Sequence, residues 1–270
     1  MTIRTGLAGL SISCVIVTGG LQVRDLPAAT DSYGGFGLPD QRGGRLLQMT
    51  AQARPELLKT ALCGNDRRVA VQFDRRQNEG THDGRQTGRN FDKLAGSVYT
   101  VLGTNVDPAA ACFLPSEAML AGSVILSVAP PDGPGVCVQR ERFATLRDRP
   151  VVQCWPLARL TPDKQVALLE FERRGKDALA AIVVVDGSRT MFADVPTEFR
   201  GAGEDLWRVD DRGVLTPDGL RIVCALQRGG WLALGTAWQG AEGRLLSLWI
   251  SQESDRLTKV INDYWYQAPV

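Results

Sequence analysis

The sequence predicts a mainly β protein, an antiparallel meander folded as a sandwich or an open barrel, with a helical segment near the N-terminus and a C-terminal helix. Two observations lead to this fold class. Apolar runs of strand length alternate with Gly- or Asp-marked breaks, and the runs are rich in β-branched residues. Runs 166–171 and 179–185, for example, are followed by breaks at Gly175 and at Asp186-Gly187. Such breaks suit tight turns between neighbouring antiparallel strands.

The same pattern continues in runs 221–226, 231–238 and 245–250, which are separated by Gly229-Gly230 and by a break at 240–243. These runs predict a three-stranded meander. In the first of them, strict alternation places Ile222, Cys224 and Leu226 on one face. The region 165–251 is therefore the expected centre of the fold.

A helix is predicted after the meander. Apolar residues fall at positions i, i+3, i+4, i+7 and i+8, the spacing of one helical face: Leu257, Val260, Ile261, Tyr264 and Trp265. Ser254 is a suitable N-cap for it. We expect this terminal helix to lie against the sheet.

The first half of the chain is expected to mix helix and strand. Residues 46–62 have helical character, with Pro55 suited to a first helical turn. Strands are predicted at 69–73, 97–102 and 123–128. We therefore divide the chain into an α+β part at 45–160 and a β-meander with its helix at 161–270, which could also form one domain.

Residues 74–93 are polar and Gly-rich, which predicts an exposed, mobile loop. Its basic residues are offset by acidic ones, which favours a solvated loop over a nucleic-acid-binding arm.

The N-terminus has the features of a signal peptide over residues 1–20. Arg4 precedes an apolar span at 6–17, and Thr18-Gly19-Gly20 offers small residues for cleavage. The Gly- and Pro-rich residues 21–44 then predict a tether. We expect a periplasmic or extracellular protein without a transmembrane span. Two alternatives stay open, a lipid anchor at Cys14 and a cytoplasmic location.

Cysteine positions bear on the compartment. Cys137 and Cys154 could face each other in a hairpin closed by residues 140–149, and they form the first-choice disulfide. Cys63 with Cys112 is the second choice. Cys224, on an apolar strand face, is expected to be a small buried residue. The alternative is that every cysteine is reduced in a cytosolic protein.

Several chemistries find no support in the sequence. A single histidine, His82, excludes multi-histidine metal centres, and a Ser-His-Asp triad would have to use it from within the polar loop. No phosphate-binding loop or GxGxxG motif follows a strand. The 31 Lys and Arg residues balance 30 Asp and Glu residues, so the net charge of +1 gives no argument for nucleic acid. We therefore expect no cofactor, no metal site and no nucleic-acid partner.

Two kinds of residue remain as functional candidates. The consecutive carboxylates Asp210 and Asp211 are the only catalytic option, although such residues in a Gly-containing turn usually bond backbone amides. Five aromatic residues could form a recognition surface where they are exposed: Trp207, Trp231, Trp238, Trp249 and Trp265.

The sequence thus favours a bacterial-type exported envelope or extracellular β-rich domain that binds a partner or a small ligand and carries no catalytic signature. The alternatives are a carboxylate-dependent hydrolase using Asp210 and Asp211, and a purely structural or assembly protein that acts through a sheet edge.

Overall fold

A computed structural model describes residues 32–64, 67–199, 201, 215–252 and 255–267. Over these residues the chain forms a closed six-stranded barrel, a five-stranded sheet and a four-stranded sheet. Three apolar clusters hold these units together in layers. The order is barrel, five-stranded sheet, four-stranded sheet and a short helical segment that covers the last sheet. The prediction of a mainly antiparallel β protein is confirmed at this level.

The barrel is formed by the first six strands, which close in the order β1-β2-β5-β4-β3-β6. The strands are β1 Gly34–Pro39, β2 Arg45–Gln48, β3 Thr60–Leu62, β4 Arg68–Gln77, β5 Gly96–Leu102 and β6 Cys112–Pro115. Alternate side chains, among them Leu46, Tyr99 and Leu114, fill the interior. The intervening side chains, such as Phe36 and Phe113, lie outside and pack against the five-stranded sheet.

The two other sheets pack face to face as a sandwich. The four-stranded sheet is a meander of β8 Val151–Thr161, β9 Lys164–Phe171, β10 Asp177–Asp186 and β11 Arg189–Glu198. The five-stranded sheet has the order β15-β14-β13-β12-β7 and consists of β7 Val124–Leu126, β12 Leu220–Arg228, β13 Trp231–Gln239, β14 Gly243–Gln252 and β15 Thr258–Tyr266. Single bridges, Ala129 to Arg159 and Phe192 to Arg256, join the edges of the two sheets.

Short helices complete the fold. Helix α1, Glu117–Leu120, precedes β7, and helix α2, Arg140–Arg147, covers the outer face of the four-stranded sheet through Phe143. Single 3-10 turns lie at Pro55–Leu57, Phe91–Lys93 and Gly135–Gln139.

The predicted C-terminal helix is wrong, because its residues form strand β15. Ile261 and Trp265 are spaced by four, which places them on one face both in a helix and in a strand, whereas Leu257 lies before β15 and packs in the sandwich core. Ile261 and Trp265 are buried, whereas Tyr264 is exposed, as a strand requires. The helical interpretation failed because the spacing of the buried residues does not separate the two structures.

The predicted helical segment at 46–62 is also wrong. Pro55 does begin a helical turn, but Leu58 is extended and the turn ends after one 3-10 unit. The flanking residues belong to β2 and β3 and place Leu46 and Ala61 inside the barrel. Packing inside the barrel overrides the local helix preference.

Part of the expected tether at 21–44 is a barrel strand followed by a turn. Residues 34–39 form β1, which is buried along its whole length. A Cβ atom on Gly35 would lie 2.1 Å from Nε2 of Gln48, so the glycine allows the close approach of a neighbouring strand. Residues 1–31, with the expected signal peptide and Cys14, lie outside the described residues.

The face assignment in strand β12 needs a correction. A β-bulge between Ile222 and Cys224 breaks the alternation. As a result, Ile222 points into the sandwich core, whereas Val223, Cys224 and Leu226 point towards the barrel. The three residues expected on one face are therefore divided between two.

Candidate functional site

Most of the candidate tryptophans lie in the core. Trp238 and Trp249, 7% and 5% exposed, pack between the two sheets of the sandwich, and Nε1 of Trp249 donates a hydrogen bond to Oγ1 of Thr236 at 3.1 Å. Trp265, 2% exposed, packs between the five-stranded sheet and the barrel. These three do not form an exposed recognition surface. Trp207 lies outside the described residues.

Trp231 is the partly exposed member of the set. It lines a cleft of about 340 Å³ together with Tyr33, Met119 and Arg228. The guanidinium of Arg228 lies 5.4 Å from the Trp231 ring centroid and donates to the carbonyl oxygen of Ala121 at 2.9 Å. The Arg228 side chain therefore already caps the end of helix α1. Few polar groups of the cleft remain for a ligand.

The candidate catalytic carboxylates Asp210 and Asp211 lie outside the described residues. Asp218, which follows them in sequence, lines a groove of about 360 Å³ at one end of the sandwich, beside Arg221 and several prolines. Within the described part of the chain, Asp218 is the one carboxylate that lines this groove.

His82 takes part in the architecture of its loop. Its Nε2 lies 2.5 Å from Oε1 of Glu79, and its Nδ1 accepts a hydrogen bond from the amide of Gly84 at 2.9 Å. The bond to His82 is the main cause of a lowered Glu79 pKa. Both ring nitrogens are thus occupied by neighbours from the same loop. Among the described residues, no group of three or more His, Cys, Asp and Glu side chains could hold a metal ion.

The cysteines form two disulfides, Cys137–Cys154 and Cys63–Cys112. The Cys137–Cys154 bond does not lie in the hairpin that was expected. Residues 140–149 do not close a hairpin, because they contain helix α2, and the bond ties the 3-10 turn before this helix to strand β8. Two disulfides fit an oxidising, non-cytoplasmic environment.

A cleft opens where the barrel meets the edge of the five-stranded sheet, and we call it the junction cleft. Its volume is about 250 Å³. Aliphatic and sulfur-containing side chains from β3, β12 and the β7 region form most of its lining: Leu62, Ile125, Leu126, Val128, Val223 and Cys224. The amide of Gly64 donates to the carbonyl of Val223 at 3.0 Å and fixes the barrel to the sheet beside the cleft.

The bulge in β12 shapes this cleft. By turning both Val223 and Cys224 towards the barrel, it supplies two consecutive apolar side chains to the lining. The Cys224 Sγ packs over Gly235, where a Cβ atom would approach it to 2.6 Å. Burial raises the pKa of the Cys224 thiol to about 12, so the thiol is neutral and unreactive at ordinary pH.

The polar groups of the junction cleft are Arg67, Arg68 and Ser127. Nη2 of Arg67 donates to the carbonyl of Thr104 at 3.0 Å, which orients the side chain. Arg68 is exposed and makes no hydrogen bond or ion pair with the residues that the structure describes. The cleft thus combines an apolar lining with two guanidinium groups, an arrangement that suits a ligand with an apolar body and an anionic end.

Sequence reasoning missed this cleft because its residues come from three distant segments. The one available signal was Arg67-Arg68 next to an apolar strand, and such a pair is ordinary at the start of a strand. The burial expected for Cys224 agrees with the structure, but its place in a cleft depends on the bulge.

The structure is that of a disulfide-bonded β protein with a mainly apolar cleft at the contact between two layers. The chain matches no protein family model, no curated protein and no solved structure. In the described part of the chain, no helix has the length and apolar character needed to span a membrane.

Proposed function

We propose that the protein is an exported, non-enzymatic domain that binds a small amphipathic anion in the junction cleft. The observation that carries this proposal is the pairing of an apolar lining with Arg67 and Arg68 in a cleft of about 250 Å³. This volume is slightly below the range of about 300–1,000 Å³ that is usual for drug-sized ligands. A short acyl chain with a carboxylate is therefore the class of ligand that fits best.

The energetic argument has two parts. Each methylene group transferred from water to the apolar lining contributes about 0.8 kcal/mol, so the chain supplies most of the affinity. The guanidinium groups give the site its selectivity, because arginine stays charged and pairs well with carboxylate oxygens. A ligand with the same chain and a positive end would meet like charge instead.

Binding of octanoate, followed by isothermal titration calorimetry, tests the proposal. Ser127→Trp places a large ring in the cleft and should weaken binding about tenfold or more. Val124→Trp is the matched control, because Val124 begins β7 three residues before Ser127, is 63% exposed and does not line the cleft. Equal affinity in the two variants, or no octanoate binding by the unaltered protein, would contradict the proposal.

Export is supported by the signal-like residues 1–20 and by the two disulfides. Mass spectrometry of the protein from its native cells should find a mature chain that begins near Leu21. A diacylglycerol-sized addition on Cys14 would replace this account by a lipid-anchored one. An intact Met1 or Thr2 start in a soluble cytosolic fraction would contradict export.

A second candidate function is a carboxylate-dependent hydrolase. It is favoured by the position of Asp218 in the groove beside Arg221, close in sequence to Asp210 and Asp211. The experiment is to replace Asp210 and Asp211 by Asn and to compare hydrolytic activity and folding with the unaltered protein. Loss of such an activity without loss of folding would favour the hydrolase over the binding protein.

A further inference from the structure

The polar loop between β4 and β5 is built by its own hydrogen bonds. Oδ1 of Asp83 accepts from the amide of Arg85 at 3.1 Å and from the side-chain amide of Asn90. The same Asn90 amide donates to the carbonyl of Arg85 at 2.8 Å, and Asn90 is only 8% exposed. The loop expected at 74–93 therefore begins later than predicted, because β4 extends to Gln77, and its second half is held by the hydrogen bonds of Asn90.

Three contacts fix the loop to its surroundings. The amide of Gln86 donates to the carbonyl of Tyr266 at 2.7 Å, and the amide of Tyr266 donates to Oε1 of Gln86, so the loop pairs with the end of β15. A Cβ atom on Gly88 would lie 3.2 Å from the amide nitrogen of Gln41, which shows how closely the loop follows the turn after β1. Phe91 is buried between the barrel and the five-stranded sheet.

These contacts enclose a space of about 550 Å³ that we call the loop pocket. Its polar side chains come from the loop, the turn after β1 and the segment after β15: Gln41, Asp83, Arg85, Thr87, Arg89 and Gln267. It is larger and more polar than the junction cleft. Hydrogen bonds within the protein fix the backbone of the loop, so ligand binding needs ordering of the lining side chains but not of the loop itself.

The charges of the loop pocket favour an anion. Asp83 is occupied by the amides of Arg85 and Asn90, and these bonds lower its pKa. Nε of Arg85 lies 3.9 Å from Oδ2 of Asp83, a distance at the limit of an ion pair. Arg89 is exposed and makes no hydrogen bond or ion pair with the described residues. Two guanidinium groups thus stand beside one ionised carboxylate, so the pocket keeps a net positive charge, with Arg89 unpaired among the described residues and amide and hydroxyl groups nearby.

We propose that the loop pocket binds an anionic sugar, that is, a phosphate or carboxylate group carried on a polyhydroxylated ring. Arg85 and Arg89 provide the fork of N–H donors that matches an oxoanion. Gln41, Thr87 and Gln267 offer both donors and acceptors, as ring hydroxyl groups require. The volume of about 550 Å³ holds a ring as well as the anion. This site is separate from the junction cleft and does not depend on its function.

The test is calorimetric titration at low ionic strength with glucose 1-phosphate, glucuronate, glucose and inorganic phosphate. Either or both sugar anions should bind, and glucose and phosphate alone should each bind about tenfold or more weakly than the better of them. Arg85→Gln and Arg89→Gln should each weaken binding of the sugar anion by a similar factor. Arg89 has no partner to lose among the described residues, so its replacement should leave the thermal unfolding midpoint unchanged.

Arg140→Gln is the matched control, since it removes the same charge from helix α2, on the opposite side of the layered fold. It should bind the sugar anion like the unaltered protein. An equal loss in this control would show general charge attraction and overturn the site. Equal binding of phosphate alone would overturn the assignment to a sugar, and equal binding of glucose would overturn anion recognition. Failure of both sugar anions to bind at about 10 mM would overturn the proposal as a whole.

Discussion

The two faces of the five-stranded sheet are covered in different ways. Its inner face packs against the four-stranded sheet with Trp238 and Trp249, and bridges join the sheet edges on both sides. Its outer face packs against the barrel with Trp265, but the barrel and the sheet separate beside the short strand β7, where the junction cleft opens. Large aromatic residues therefore close the interior of this protein, whereas the junction cleft is lined mainly by aliphatic side chains.

The largest expected effect concerns the tryptophans of the two faces. Trp249→Ala should destabilise the protein by about 3–5 kcal/mol, because it leaves a cavity in the sandwich core. Trp265→Ala should cost a similar amount on the barrel side, while Trp231→Ala should cost only about 1–2 kcal/mol, because this partly exposed ring loses its contact with Arg228 and part of its packing on the barrel side. Chemical denaturation measures all three. A cost for Trp231→Ala equal to that for Trp249→Ala would contradict the division between core and surface tryptophans.

The disulfides allow the barrel and the four-stranded sheet to be weakened separately. The bonds Cys63–Cys112 and Cys137–Cys154 span 49 and 17 residues, so replacing each pair by Ala should cost about 4 and about 3 kcal/mol through loop entropy. Denaturation midpoints without reductant measure the costs.

The two disulfides should also differ in their effect on octanoate binding. Cys63 follows Leu62, which lines the junction cleft, whereas Cys137 and Cys154 lie in the helix-covered layer. Removal of the first bond should weaken octanoate binding, and removal of the second should not. The reverse order would show that the junction cleft does not depend on the barrel.

A smaller effect is expected from Asp263, on the outer face of β15. Its Oδ2 accepts from Oγ1 of Thr50 at 3.1 Å, and burial raises its pKa despite this bond. A raised pKa means that the folded state holds the proton more tightly than the unfolded state, so the stability this proton gives is complete at low pH and is lost as the pH rises through the folded pKa.

Asp263→Asn removes the free-energy cost of burying an ionised carboxylate at pH 7. The amide oxygen can still accept the Thr50 hydrogen bond, so the substitution should raise the thermal unfolding midpoint at this pH. The difference from the unaltered protein should disappear below about pH 4, where the carboxyl is neutral in both states. Thermal unfolding from pH 3 to pH 7 measures it. A lower midpoint for Asp263→Asn at pH 7 would show that the ionised carboxylate stabilises the contact between sheet and barrel.

The sequence predicted strands where alternation or apolar runs recorded burial directly, as in β9, β10 and the meander from β12 to β14. It failed where two structures share one spacing, as with Ile261 and Trp265 in β15. It also failed at β1, whose glycines have the composition of a linker but allow strands to approach inside a closed barrel. The local sequence does not indicate which distant strand will pair with a given strand.

The candidate sites were even harder to predict from local sequence than the strands. Burial could be foreseen for Cys224, but its place in a cleft depends on one bulge in β12. The loop pocket depends on Asn90, a residue that is unremarkable in sequence and central in the hydrogen bonds of the loop. Sites assembled from several loops become visible only when the three-dimensional contacts are known.

Changing the charge at the rim of the junction cleft tests whether the cleft binds an amphipathic anion. Octanoate, octanol and octylammonium share one chain and differ in the charge of the end group, and their affinities can be compared in the unaltered protein and in Arg68→Glu. Arg140→Glu, which makes the same change on helix α2, serves as the control. We expect the unaltered protein and the control to prefer octanoate, and Arg68→Glu, in which the new carboxylate offsets the charge of Arg67, to lose this preference. An unchanged preference for octanoate in Arg68→Glu would contradict the account.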